Sequence, residues 1–196
     1  MARYGPVTTD TQTVPLGLAQ IRVGASATNI GSRNAVLTSS DSIGVCTTTK
    51  FAGNTDWFKL ESGFPLMEDT VFPIREGASL ECAFQQLTPK NLAFAYGLDA
   101  TTGYTNVHSG EVALGARSAP AFVRMEAHYT FPTVTYSLDV IFPRAQISSS
   151  VELDFQSEAP AAVTITFESK NASSDVTGGN AIWNAAPLGR IQWNGA

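Results

Sequence analysis

Lysine is scarce in this chain: Lys50, Lys59, Lys90 and Lys170 are the whole complement in 196 residues. Charged residues make up 15% of the sequence, against about 25% in ordinary soluble domains. A surface meant to stay in water carries more charge, whereas protein interfaces are depleted in Lys and Glu. The shortage fits either a bias of composition or extensive self-association. The net charge of −5 argues against a protein that grips nucleic acid by its phosphates, because such a grip needs a Lys/Arg stripe. It leaves room for a surface that nucleic acid merely passes.

Cysteine and histidine are as sparse. Cys46 and Cys82 are the only cysteines, and His108 and His128 the only histidines. The amino-terminal "MARYGPVTTDTQTVPLG" has no apolar run of the kind a secretory signal needs, and no apolar run is long enough to span a membrane. Free thiols are therefore expected rather than a disulfide. Cys82 alternates with Leu80 and Phe84 and reads as a small buried hydrophobe. The spacing of the four Cys and His residues supports no zinc site. The sequon Asn171-Ala172-Ser173 means little without secretion.

Catalytic motifs are missing as well. There is no phosphate-cradling GxxxxGK[ST], no dinucleotide fingerprint, no GxSxG elbow and no HExxH. Paired carboxylates among Glu81, Glu126 and Asp139 could serve a glycosidase, and Trp57, Trp183 and Trp193 could line a sugar site. Solvated strand faces for the former, and core or interface positions for the latter, are the better readings. The expectation is a structural protein with no catalytic residue, cofactor or metal. A carbohydrate-binding β-sandwich or a small esterase is a distant alternative.

What the sequence does have is alternation with a period of two. Val123, Met125, Ala127, Tyr129 and Phe131 alternate with Arg124, Glu126, His128 and Thr130. After a turn near Pro132-Thr133, Tyr136, Leu138, Val140 and Phe142 continue the pattern. Ile147, Val151, Leu153 and Phe155, then Val163, Ile165 and Phe167, repeat it as strands on either side of the turn "EAPAA". "QIRVG" and "DWFKLES" read as shorter strands upstream. Short strands broken by turns predict a mainly β fold: an antiparallel β-sandwich or partial barrel. The chain reads as one domain, 1–196, with an arm over about 1–19. Long loops are expected over 25–44, 63–77, 101–120 and 171–187. The loop 63–77 is unusually apolar, and such a loop needs a partner surface.

One helix interrupts the strands. In "SLECAFQQLTPKNLAFAYGLD", Thr88 suits the N-cap, Pro89 the first helical position and Gly97 a left-handed end, giving a helix over about 89–96. So short a helix is not stable alone in water. Leu92, Ala95 and Tyr96 share one face. Phe94 points about 200° away from Leu92 and pairs with Leu98. The helix is apolar on two sides and needs two covers: its own sheet, and either a loop of the same chain or a neighbouring subunit.

This element resembles the strand-then-helix unit of tail tube proteins, or major tail proteins, of long-tailed bacteriophages. Leu87, Thr88, Pro89, Asn91, Leu92, Ala95 and Gly97 carry the pattern L-[ST]-P-x-N-L-x-x-A-x-G. The following hairpin, the turn Pro143-Arg144-Ala145, the acidic turn at Glu158 and "VTITFE" are similar to the family's second half. The likeness runs from about Trp57 to Trp193.

The resemblance implies a β-sandwich flanked by one helix, with hairpin loops used in oligomerisation. It implies a virion structural protein, not an enzyme and without cofactors. Its subunits form six-fold rings that stack into the tube through which DNA leaves the capsid. Implied partners are other copies of the chain and further tail proteins: tape measure, terminator, and baseplate or distal tail components. Double-stranded DNA passes without specific binding, and no membrane is engaged. The location is the virion tail, with assembly in the host cytoplasm. A tail terminator, connector, baseplate component or contractile-injection tube is the alternative within the same class. The residues offered for a lumen are Ser79, Glu81, Gln85, Glu126 and Asp139, on an acidic face that would repel phosphates. Those offered for subunit contacts are Phe94, Leu98, Phe64, Leu66, Met67 and Phe72. Either 25–44 or 63–77 would reach a neighbouring ring.

Overall fold

The computed structural model describes residues 17–65, 67–98, 110–115, 119–132, 136–148, 150–153, 155 and 161–194. The strands are β1 (Gln20–Ala25), β2 (Cys46–Ser62), β3 (Met67–Phe84), β4 (Val123–Thr130), β5 (Ser137–Ile147), β6 (Val163–Ser169) and β7 (Arg190–Asn194). Two short helices, α1 (Ser26–Asn29) and α2 (Pro89–Ala95), lie between them. Residues 1–16 of the arm, 101–109 and 116–118 of the loop 101–120, Leu66, Glu158 and Asp154 lie outside the described residues.

The mainly β antiparallel expectation holds. All seven strands join one sheet in the order β1-β4-β5-β6-β3-β2, with β7 added to β5. Strand β5 forks it: Ser137–Ile141 pair with β7, and Ala145–Ile147 pair with β6. The sheet then curls. The Ile43 N–H donates to the Ile21 carbonyl at 3.0 Å and Arg22 bridges to Ser42, which brings the lead into β2 against β1 without closing the barrel.

Period two fixes what fills the curl. Val123, Met125 and Ala127 of β4 meet Ile21 and Val23 of β1, Leu80, Cys82 and Phe84 of β3, and Val163, Ile165 and Phe167 of β6 in one core. Each large side chain buried there contributes about 1.5–3 kcal/mol.

Helix α2 joins this core, bounded as its sequence predicts. Thr88 Oγ1 accepts from the Asn91 N–H at 3.2 Å. At the other end, Leu98 N–H bonds Ala93 O and Gly97 N–H bonds Phe94 O. That pair of bonds is a Schellman end and needs the left-handed residue Gly97, at φ +70°. The buried Asn91 side chain donates to Ile43 O at 2.7 Å and Gln86 O at 2.8 Å, which ties the helix to the strand roots.

Both apolar sides of the helix are covered by the chain itself. Ala93, Phe94 and Ala95 are fully buried, and Leu92 and Leu98 pack partly buried against the same core. Phe94 therefore does not serve a subunit contact; the curled sheet takes it, because the helix sits where strands from both ends of the sheet converge.

The opposite face of β4 and β5 is also covered, by the segments 26–37 and 171–188 rather than by a second sheet. Ile30, Ile141, Ala172 and Trp183 form a small second core there. The Trp183 indole donates to Ile30 O at 2.7 Å, and Ser26 Oγ to Pro143 O at 2.8 Å.

Replacing Phe94 tests the assignment to the core. Phe94→Ala should destabilise the isolated chain by about 3–5 kcal/mol, read as a lower urea midpoint with an unchanged slope. An unchanged midpoint would return Phe94 to the surface.

Candidate assembly surface

Strands β2 and β3 form a hairpin of 17 and 18 residues, far longer than the usual strand of about 5–6. Only Ser79–Phe84 of β3 reach β6. From Gly53↔Ala78 outward the two strands pair only with each other. At about 3.4 Å per residue this ribbon projects some 30 Å from the body. A two-stranded ribbon is marginal alone in water.

The ribbon is apolar where it is most exposed. Phe58 stands opposite Phe72, and Trp57 opposite Pro73, on its two faces. Trp57, Phe58, Leu60, Val71, Phe72 and Ile74 all lie open to solvent, as does Phe64 in the turn. Register shifts at Asp56/Trp57 and Leu60/Glu61 leave Ile74 and Asp69 as extra residues on β3. Pro73 sits beside the first shift, on a strand with one neighbour there, where its missing N–H is tolerated.

Charge divides the two faces. On the face of Phe58 and Phe72, Lys50 stands opposite Glu81 and Asp56 opposite Arg75. On the other face, Glu76 stands opposite Thr55 and Glu61 opposite Glu68. Lys59 there bonds Glu68 at 2.7 Å. Carboxylates outnumber cations on that second face.

The residues proposed for a lumen separate accordingly. Glu81 is exposed at the hairpin's root, and Ser79 and Gln85 are half-buried near it. Glu126 and Asp139 are not surface groups at all, with relative exposures of 0% and 1%. They belong to the covered face of β4 and β5.

Glu126 accepts from Arg124 Nε at 2.7 Å and from the Val36 and Leu37 N–H groups at 2.9–3.1 Å. Arg124 spends its other donors on the carbonyls of Asn29, Ser32 and Asn34 at 2.6–2.8 Å. Burial pulls the Arg124 guanidinium below its ordinary pKa, and Glu126 opposes that shift. The pair holds segment 29–37 on the body, so that stretch does not stand free to reach a neighbouring ring. Asp139 bonds His128 Nδ1 at 2.5 Å and Asn194 Nδ2, tying β4, β5 and β7 together. Thr130 Oγ1 lies 3.2 Å from His128 Nε2 and extends the row along β4.

Of the residues proposed for subunit contacts, Phe64, Met67 and Phe72 are exposed on the hairpin. Leu98 packs on the core and Leu66 lies outside the described residues. The sequence reading missed Trp57, Phe58, Leu60 and Ile74 as one surface with these, because 63–77 was expected to be a loop. The signal was present: apolar and charged residues run on through Val71, Phe72 and Ile74 without a turn residue other than Pro73.

A second apolar surface lies at the fork. Phe51, 6.2 Å from Phe142 between ring centroids, borders a groove with Val140, Leu188 and Ile191. Beside it, Trp193 is exposed and stacks on Phe131 at 5.3 Å. Among the described residues no group of three or more His, Cys, Asp or Glu is placed to hold a metal ion.

No family model and no curated protein matches this sequence. Among solved structures the chain is similar to the tail of an empty GTA particle with C6 symmetry, at 10% identity and a TM-score of 0.44, over 79% of this chain and 92% of that one.

The buried pair gives a direct test of its placement. Glu126→Gln leaves the Arg124 charge buried without its partner and should cost about 3–5 kcal/mol, measured by urea unfolding. A solvated Glu126 would lose less than about 0.5 kcal/mol.

Proposed function

We propose that this chain is a structural subunit of a phage-like tail, and that its copies join into rings, six-fold in the reading carried by the sequence resemblance, that stack into the tail tube. The observation that carries this reading is the hairpin. It places large apolar side chains on both faces of a ribbon that the described residues leave uncovered. An isolated chain would leave that patch and the ribbon's open edges in water, which invites aggregation. Assembly covers both. Contacts between unlike surfaces generate rings or filaments, and the ribbon and the groove at the fork are unlike surfaces. The sparse lysine fits a subunit whose surface is mostly contact.

The acidic face of the ribbon supports a role as a conduit. Glu61, Glu68 and Glu76 replace Glu126 and Asp139 as the groups that would repel phosphates if that face lines a lumen. No catalytic chemistry is assigned to the chain. A related tail part that forms a single ring is the second reading, since the same hairpin would serve it.

Negative-stain microscopy of the purified full chain tests the reading. Hollow filaments or stacked rings are expected, and single rings would favour the second reading. A monodisperse monomer at high concentration overturns both. The double variant Phe58→Ser/Phe72→Ser should lose assembly while its monomer unfolds within about 0.5 kcal/mol of the parent.

A further inference from the structure

Cys46 opens β2 and Cys82 lies near the end of β3, both on the inward file of the hairpin's root. Cys46 stands opposite Phe84 and Cys82 opposite Thr49, which makes the two cysteines diagonal neighbours in one core. Cys82 has no exposure, whereas Cys46 keeps 8% and donates to Gly44 O at 3.8 Å. The two thiols are therefore neighbours in the register but unequal: one lies at the rim of the core and the other inside it.

We propose that Cys46 and Cys82 form a thiol–disulfide exchange site, which a small-molecule disulfide converts to a cross-strand disulfide at the root of the hairpin. This does not rest on the assembly reading. The Cys46 thiolate attacks one sulfur of the small disulfide; a mixed disulfide forms and one small thiolate leaves. Cys82 then attacks the Cys46 sulfur, its proton goes to solvent or to a departing thiolate, and the second small thiol leaves. The two protein thiols are oxidised by two electrons, and the small disulfide is reduced to two thiols.

The order of attack follows from the site. Cys46 is the thiol with exposure to a small disulfide; the neighbouring Cys82 lowers its pKa, whereas Cys46 and then burial raise that of Cys82. The thiolate is the nucleophile, so the rim cysteine is the one that attacks. Closing the bond requires the sulfurs to approach to about 2 Å. The register shift between Cys46 and Thr48 gives β2 an extra residue there, and its backbone can take up that movement. The resulting loop encloses the whole projecting ribbon, so the bond fixes the ribbon's two ends whatever happens at its tip.

Incubation of the folded full chain with oxidised glutathione, followed by alkylation and peptide mapping, tests this. The parent should lose both free thiols and yield a linked peptide joining positions 46 and 82. Proteolytic nicks in the ribbon should then give fragments that separate only after reduction. Cys82→Ser should stop with one glutathione on Cys46, and Cys46→Ser should react at least tenfold more slowly. Two thiols still free under conditions that oxidise the urea-unfolded chain, or a glutathione on each cysteine, overturns the proposal. So does equal reactivity of the two variants. If the variants fail to fold, the linked peptide in the parent decides alone.

Discussion

The buried pair of Arg124 and Glu126 organises the body of this protein. Both side chains sit on the face of β4 that alternates with Val123, Met125 and Ala127, so they turn away from the main core. Burying two ions costs several kcal/mol each unless their remaining donors and acceptors are matched. Here they are matched by backbone: the carbonyls of Asn29, Ser32 and Asn34, and the N–H groups of Val36 and Leu37. A segment poor in regular structure thereby satisfies polar groups that it could not satisfy within itself. The pair sets the position of 29–37, and 29–37 with 171–188 forms the layer over β4 and β5. Trp183 closes that layer through Ile30.

The same pair explains where the sequence was legible and where it was not. Strands β4, β5 and β6 follow from alternation, because each has one face in the main core. Helix α2 follows from Thr88, Pro89 and Gly97, whose local chemistry sets its ends regardless of what surrounds them. The second face of β4 did not follow. Alternation distinguishes one side of a strand from the other, but a row of Arg, Glu and His looks the same whether water or a loop covers it. Segment 25–44 gave no sign of being that cover, since its bonds to Arg124 and Glu126 run through backbone atoms, which every sequence has. Phe94 was misplaced for a related reason. A helix packed inside a curled sheet can be covered on both sides by one chain, and a helical wheel does not show curvature.

The hairpin was hidden by its length. Its strands were read as two short strands, one over 56–62 and one leading from Ser79 into the helix, with an apolar loop over 63–77 between them, because few strands run so far unsupported. The physical difficulty is real: past Ala52 and Ser79 no third strand among the described residues shares the ladder. What remains is a ribbon whose stability depends on cross-strand pairs such as Phe58 with Phe72, and on whatever covers it. The large apolar side chains of this ribbon therefore stay at the surface and enter neither core.

Charge sharpens that distinction. On the face of Phe58 and Phe72, Lys50 and Arg75 stand opposite Glu81 and Asp56, so that face carries little net charge to desolvate in a contact. On the other face, Glu61, Glu68 and Glu76 have Lys59 as the cation among them. Like charges placed opposite, as Glu61 and Glu68 are, weaken a strand pair. A ribbon selected only for its own stability would not keep them. A face left in water carries such charges at little cost, whereas a face that dries needs its charges paired. The ribbon has one face of each kind.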